Sequence, residues 1–196
     1  MSEFSDTPTI GSSRQAAMTA IEMLIVVAAL GLLVLVTVPG SAMLVERYRL
    51  KAASHELARG LSLARSEAIK RGSIVRLCPS ANGRDCRDDG DWSQGWLVFS
   101  DGNDDGSVQE FELIEAFDGP AQEVRIIGKG PVHHGAAFTL AGLMAEGDEA
   151  TQSMVNGEFL VCYVGSDTNA KSVIIDEEGW VNVIPSATAG CGTNSG

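Results

Sequence analysis

Catalytic machinery is what this sequence has least of. Its three histidines are His55, in a helical stretch, and the neighbours His133 and His134, in a Gly-Pro-rich loop. No nucleophile elbow, glycine-rich phosphate loop, His-Glu-x-x-His segment or Cys/His pair accompanies them. The pattern predicts a protein that is not an enzyme and needs no cofactor. Base is scarce as well: 14 Lys+Arg stand against 26 Asp+Glu, a formal charge of −12, with a pI near 4.6. That balance argues against bulk electrostatic attraction to nucleic acid or anionic lipid. Charged residues make up only 20% and hydrophobic ones 44% of 196 residues, which excludes wholesale disorder and leaves room for one modest domain plus an appendage. A mean hydropathy of +0.08 beside so large a charge requires the apolar residues to be concentrated in one place.

They are concentrated near the N-terminus. From Met23 to Val45 no residue is charged, and all but Thr37 and Ser41 are apolar, small, Gly or Pro. As helix this run is about 34 Å long, enough for a hydrocarbon core of about 30 Å. It reads as a membrane helix rather than a cleaved secretory signal, because Met1–Ala17 carries Glu3, Asp6 and only one base, Arg14. Glu22 at its start needs a partner, since a lone carboxylate in lipid costs about 2.5–3.5 kcal/mol. Pro39, followed by Gly40, predicts a kink.

Beyond Pro39 the helix pattern continues. Leu50, Ala53, Leu57, Leu61, Ala64 and Ala68 recur at spacings of three and four, one apolar stripe, and Gly72 after Lys70 and Arg71 is a stop signal. After Gly72 the period falls to two. Runs at Ser73–Cys78, Gly95–Ser100, Gln109–Phe117, Val124–Ile127, Ala136–Leu140, Gly157–Val164, Ser172–Ile175 and Val181–Ile184 read as short strands between Gly, Asp, Asn and Pro clusters. Such short connections leave no room for crossover helices. The expected fold is α+β, one long N-terminal helix whose amphipathic half packs on an antiparallel β-sheet head.

Four cysteines, Cys78, Cys86, Cys162 and Cys191, follow the apolar run without a C-x-x-C spacing. This suggests two disulfides in an oxidising compartment, with zinc as the rival reading. Of three connectivities, Cys78–Cys86 and Cys162–Cys191 are favoured, because each pair brackets a loop rich in Gly and polar residues. Asp101-Gly-Asn103-Asp-Asp105-Gly106 with Glu112 satisfies the spacing of a calcium loop. Its flanks read as strands rather than helices, so a hairpin is favoured, with calcium a weaker candidate and no metal site committed. Trp96 lies in a strand pattern and reads as core, while Trp92 is open between core and subunit contact.

The junction Arg14-Gln15-Ala16-Ala17 followed by Met18-Thr19-Ala20-Ile21-Glu22-Met23-Leu24-Ile25 resembles the class III leader junction of type IV pilins and type II secretion pseudopilins. Ala64-Arg65-Ser66-Glu67-Ala68-Ile69, Val75-x-Leu77-Cys78, Gly95-Trp96-Leu97-Val98-Phe99 and the Asp101–Gly106 segment are similar to the GspH/FimT minor pseudopilin family. The resemblance implies a pilin-like fold with a leader at 1–17, a transmembrane part at 18–45, an amphipathic part at 46–72 and a periplasmic head at 73–196. It implies cleavage by a prepilin peptidase between Ala17 and Met18, N-methylation of Met18, and pairing of Glu22 with a neighbouring subunit's amine. It further implies an inner-membrane, single-pass location. The implied partners are other minor and major pilins or pseudopilins, the peptidase and the inner-membrane assembly platform. Two positions depart from the family: Ala17 stands for its Gly and Met18 for its Phe. Where some FimT-like proteins carry Gly-Arg-x-Arg for DNA uptake, this chain has Gly179-Trp180-Val181-Asn182 behind Asp176, Glu177 and Glu178.

The expected function is that of a minor subunit that initiates or caps a type II secretion pseudopilus or a type IV pilus. A DNA-binding pilin for transformation is disfavoured by the absent arginines, and a membrane-tethered periplasmic enzyme by the absent constellation. Charge divides the same way as hydropathy. Residues 18–87 hold ten bases and five acids, residues 88–196 three bases and nineteen acids. A basic stem thus carries an acidic head.

Overall fold

Helix α1, Ala20–Arg71, is the long helix that the periodicity requires. In this computed structural model residues 19–103, 105–146, 154–166, 169–186 and 191 are described, the side chains of 34–42 and 146 excepted. Thr19 caps the helix: its hydroxyl accepts from the Glu22 amide at 3.4 Å and its carbonyl accepts from the same amide at 3.0 Å. Thr-x-x-Glu is the sequence of a capping box, and the Glu22 charge complements the positive end of the helix dipole. At the other end Gly72 adopts φ 62°, and the Gly72 and Ser73 amides donate to the Ala68 carbonyl at 2.9 and 3.4 Å. A left-handed residue after Lys70 and Arg71 is how such helices stop.

The chain divides into two units, Met1–Ala42 and Met43–Gly196. In the first, residues 19–33 are exposed throughout, with Ile21 and Leu24 each 70% accessible. The backbone stays helical through Pro39, whose side chain, like those of the rest of 34–42, lies outside the described residues. The kink expected there remains a proposal. Among the described residues no helix is long and apolar enough to cross a membrane; the Met23–Val45 run is interrupted by those same positions.

In the second unit the helical stripe is buried throughout. Leu50, Ala53, Leu57, Leu61, Ala64 and Ala68 are each at most 6% exposed. Burial of each leucine contributes about 1.5–3 kcal/mol. They share one core with both sheets of the head. The first sheet has the order β3 (Leu113–Asp118), β2 (Gly95–Ser100), β1 (Val75–Pro79), β5 (Ala136–Phe138), β6 (Met144–Glu146). The second has the order β4 (Val124–Lys129), β7 (Gly157–Tyr163), β8 (Ala170–Ile175), β9 (Val181–Pro185). Every pairing is antiparallel.

The head is thus antiparallel sheet packed on the helix, as expected, its strands falling into two sheets; it also contains β6, a three-residue strand too short to show a period. β3 begins at Leu113 rather than Gln109. The Glu112 amide closes a turn onto the Gln109 carbonyl at 2.9 Å, and Phe111 points outward, 84% exposed.

Gly60 sets how closely α1 sits on the first sheet. A Cβ there would come within 2.6 Å of Trp96 Nε1. Trp96 is 1% exposed and stacks on Phe117 at 5.4 Å, so the bare glycine is the slot into which the indole packs. Trp92, also fully buried, meets Phe159 edge to face at 4.9 Å. It is core.

Candidate functional site

Ion pairs clamp the basic stem to the head. Arg49 reaches Glu123 at 2.6 Å, and Arg59 reaches Glu115 at 2.8 Å while lying 4.6 Å over the Phe117 ring. Glu67 takes Arg71 at 2.7 Å and Lys70 at 3.1 Å. The hydrogen bond from Arg71, then that from Lys70, hold its carboxyl below the usual range. Glu158 is likewise held low by the Ser172 hydroxyl, with Lys129 as the second partner. The first two pairs tie the stem to the head, whereas those of Glu67 lie within α1 and those of Glu158 within the second sheet.

Of the residues singled out from sequence, Ala17 and Met18 lie outside the described ones. Glu22 is exposed in the first turn of α1. Cys78 is bonded to Cys86 and Cys162 to Cys191, with no free cysteine among the described residues. The first disulfide ties β1 to the loop after it, and the second ties β7 to the C-terminal segment.

The 101–112 loop joins β2 to β3 as a hairpin connection, and the carboxylates of Asp101, Asp105 and Glu112 already accept hydrogen bonds within the chain. Asp101, 1% exposed, accepts from Arg76 Nε at 2.5 Å, from the Asp105 amide at 3.0 Å and from the Gly106 amide at 3.1 Å. Asp105 accepts from Ser107, Gln109 and Asn103 at 2.6–2.9 Å, and these bonds, that from the Ser107 amide foremost, lower its pKa. Glu112 accepts from the Gln109 amide at 3.2 Å. Among the described residues no group of three or more His, Cys, Asp or Glu is arranged to hold a metal. The buried Arg76–Asp101 pair is what the sequence reading missed. Its signal was a lone arginine at an inward position of a strand followed 25 residues later by an acid.

His133 packs beneath Gly90, where a Cβ would meet its ring at 2.0 Å, and accompanies His134 edge to face. His134 Nδ1 lies 2.6 Å from Asp88. No nucleophile faces either ring in these contacts.

The model of the family described as Type II transport protein GspH matches residues 53–179. The chain belongs to this GspH family. The matched region runs from the amphipathic half of α1 to the turn before β9, so the family shares the stem and head whose geometry is given above. Two crystal forms of one solved structure agree in fold. The type IV minor pilin FimU of Pseudomonas aeruginosa is 22% identical at TM-score 0.55, over 74% of this chain and 94% of its own. A second crystal form of FimU is 20% identical at 0.51, over 71% and 96%. The minor pseudopilin EpsH of the Vibrio cholerae type 2 secretion system is 11% identical at 0.48, over 70% and 97%. No curated protein matches in sequence. The GspH family comprises pilin-like structural subunits, which are not enzymes and for which no cofactor is expected.

In this GspH-family chain Gly179 and Trp180 close the tight turn that follows β8, and Val181 and Asn182 open β9. Gly179 has φ 78°, and the Trp180 amide donates to Asp176 Oδ1 at 2.7 Å. Trp180 projects outward, stacked by Arg65 at 4.2 Å, with Glu177 and Glu178 exposed beside it. Glu177 and Glu178 thus stand just ahead of Trp180 and Asn182, the positions that match the arginines of a Gly-Arg-x-Arg motif.

Proposed function

We propose that this chain is a membrane-anchored minor subunit that initiates or caps a type II secretion pseudopilus or a type IV pilus. It is made with a leader at 1–17, which a prepilin peptidase removes between Ala17 and Met18, and the new amine of Met18 is methylated. Residues 18–45 hold it in the inner membrane with the head in the periplasm. On the assembly platform it then joins other minor and major subunits through α1.

One observation carries this reading. The two stretches of α1 have opposite fates: the stripe at 50–68 is covered by the chain's own head, while residues 19–33 are exposed on every side. Consecutive Met23, Leu24, Ile25 and Val26, which point about 100° apart around the helix, are all exposed and need an apolar surrounding that this chain does not supply. Lipid supplies it before assembly and neighbouring helices after it.

Glu22 fits the same account. In lipid its charge costs about 2.5–3.5 kcal/mol alone, and a neighbour's Met18 amine offsets that cost while fixing the axial register. In cells carrying the assembly machinery, Glu22→Ala is expected to leave the chain in the membrane fraction and remove it from sheared filaments. Normal co-assembly of Glu22→Ala would overturn the role given to Glu22.

A further inference from the structure

The head has a second, local polarity at the end of the stem. Arg47, Leu50 and Lys51 of α1, Asn169 and Lys171 at the start of β8, and Ser186 after β9 surround a pocket of about 350 Å³. Among the described residues Arg47, Lys51 and Lys171 take part in no ion pair, unlike Arg49, Arg59, Lys70 and Arg71 on the same helix. The acid on this turn, Glu46, accepts from Asn169 Nδ2 at 3.0 Å. Among the described residues three cations stand against one acid, which leaves the pocket positive in a molecule whose head is strongly acidic.

What adjoins the pocket narrows its occupant. Met43, Leu44, Arg47 and Lys51 fall at three- and four-residue spacings, so they share one helix face. That face is apolar at its first two positions, Met43 67% and Leu44 70% exposed, and cationic at the next two, with Tyr48 73% exposed alongside. From Val45 to Lys51 the helix rises about 9 Å, close to the depth of a headgroup layer. Lys and Arg stems with an aromatic neighbour are what a chain presents at that depth.

We propose that this pocket binds the phosphodiester of an anionic phospholipid, with the acyl chains lying along Met43 and Leu44. A carboxylate-rich loop of a neighbouring subunit would satisfy the three cations but leave the apolar positions uncovered; a lipid satisfies both. The acidic head does not oppose this, because screening confines its field to about 8–10 Å. The proposal rests on the membrane-anchor reading above.

The test uses the full chain in nanodiscs of pure phosphatidylcholine, titrated with headgroup-labelled phosphatidylglycerol, with inorganic phosphate as competitor. Recovery of the chain in the phosphatidylcholine discs reads the anchor; preference for phosphatidylglycerol reads the pocket. The expected result is a saturable preference that falls about fivefold in Lys51→Gln and about twenty-five-fold in Lys51→Gln/Lys171→Gln, the size of about one Lys contact each at an anionic surface. Arg84→Gln, an exposed cation elsewhere, should leave it unchanged. Lys51 is exposed and Lys171 half-buried, and neither belongs to the core, so these changes leave the core intact. Equal affinity for both lipids, a preference untouched by the double change, or full displacement by millimolar phosphate would overturn the lipid site. Failure of the chain to enter discs would instead overturn the anchor.

Discussion

Gly60→Ala sets two ordinary effects against each other, and the structure decides the sign. Alanine is the better helix former by about 1 kcal/mol in a helix interior, so α1 taken alone predicts stabilisation. Its Cβ would, however, stand 2.6 Å from Trp96 Nε1. The indole has nowhere to go: it is 1% exposed and stacked on Phe117 with planes 16° apart. Overpacking of this kind costs about 1–3 kcal/mol, toward the upper end for a ring that is fully buried and stacked on Phe117. The expected net loss is about 1–2 kcal/mol, a fall of about 2–8 °C for a chain of this length. Thermal unfolding of the full chain in detergent, followed by near-UV circular dichroism of the tryptophans, measures it. Ser62→Ala, exposed on the same helix, should be neutral. In a Trp96→Phe background, which sacrifices no hydrogen bond because Trp96 Nε1 has no partner, Gly60→Ala should become neutral or stabilising. Stabilisation by Gly60→Ala in the native background would refute the docking of Trp96 into the helix.

Arg76→Met should destabilise by about 3–5 kcal/mol in urea, since it strands the buried Asp101 carboxylate, whereas Lys70→Met should stay within about 0.5 kcal/mol. On the loop-closure model, removing Cys162–Cys191 costs about 3.5 kcal/mol and removing Cys78–Cys86 about 2.5 kcal/mol; paired Cys→Ser variants should unfold in that order. Glu67 and Glu158 have folded pKa values below the ordinary 4.5. Their contributions are therefore fully present above that value and lost as pH falls through the lower folded ones. Acid titration of Glu67→Gln or Glu158→Gln should show a shallower decline below about pH 4.5 than the native chain.

The helix was legible because its stripe follows one rule over six residues, from Leu50 to Ala68, and the same six are buried. Gly72 marked its end for a local reason, the positive φ. Strands with their own alternation, such as Gly95–Ser100, were legible too. Met144–Glu146 was not, since three residues carry no period and pair only because β5 lies alongside. The 101–112 loop shows the opposite failure. Its spacing matches a calcium loop, yet Asp101 is committed to Arg76, a partner from a different strand that no local motif reveals. Likewise the cations at 47, 51 and 171 come together only through the return of β8 beside α1.

Assembly after processing is the central claim, and mass spectrometry of sheared filaments from cells expressing this chain tests it most directly. The account predicts peptides of this chain in the filament fraction, beginning at N-methylated Met18, and their disappearance in Glu22→Ala while the membrane fraction keeps the protein. A chain in the filaments that still begins at Met1, or a processed chain found only outside them, would contradict it.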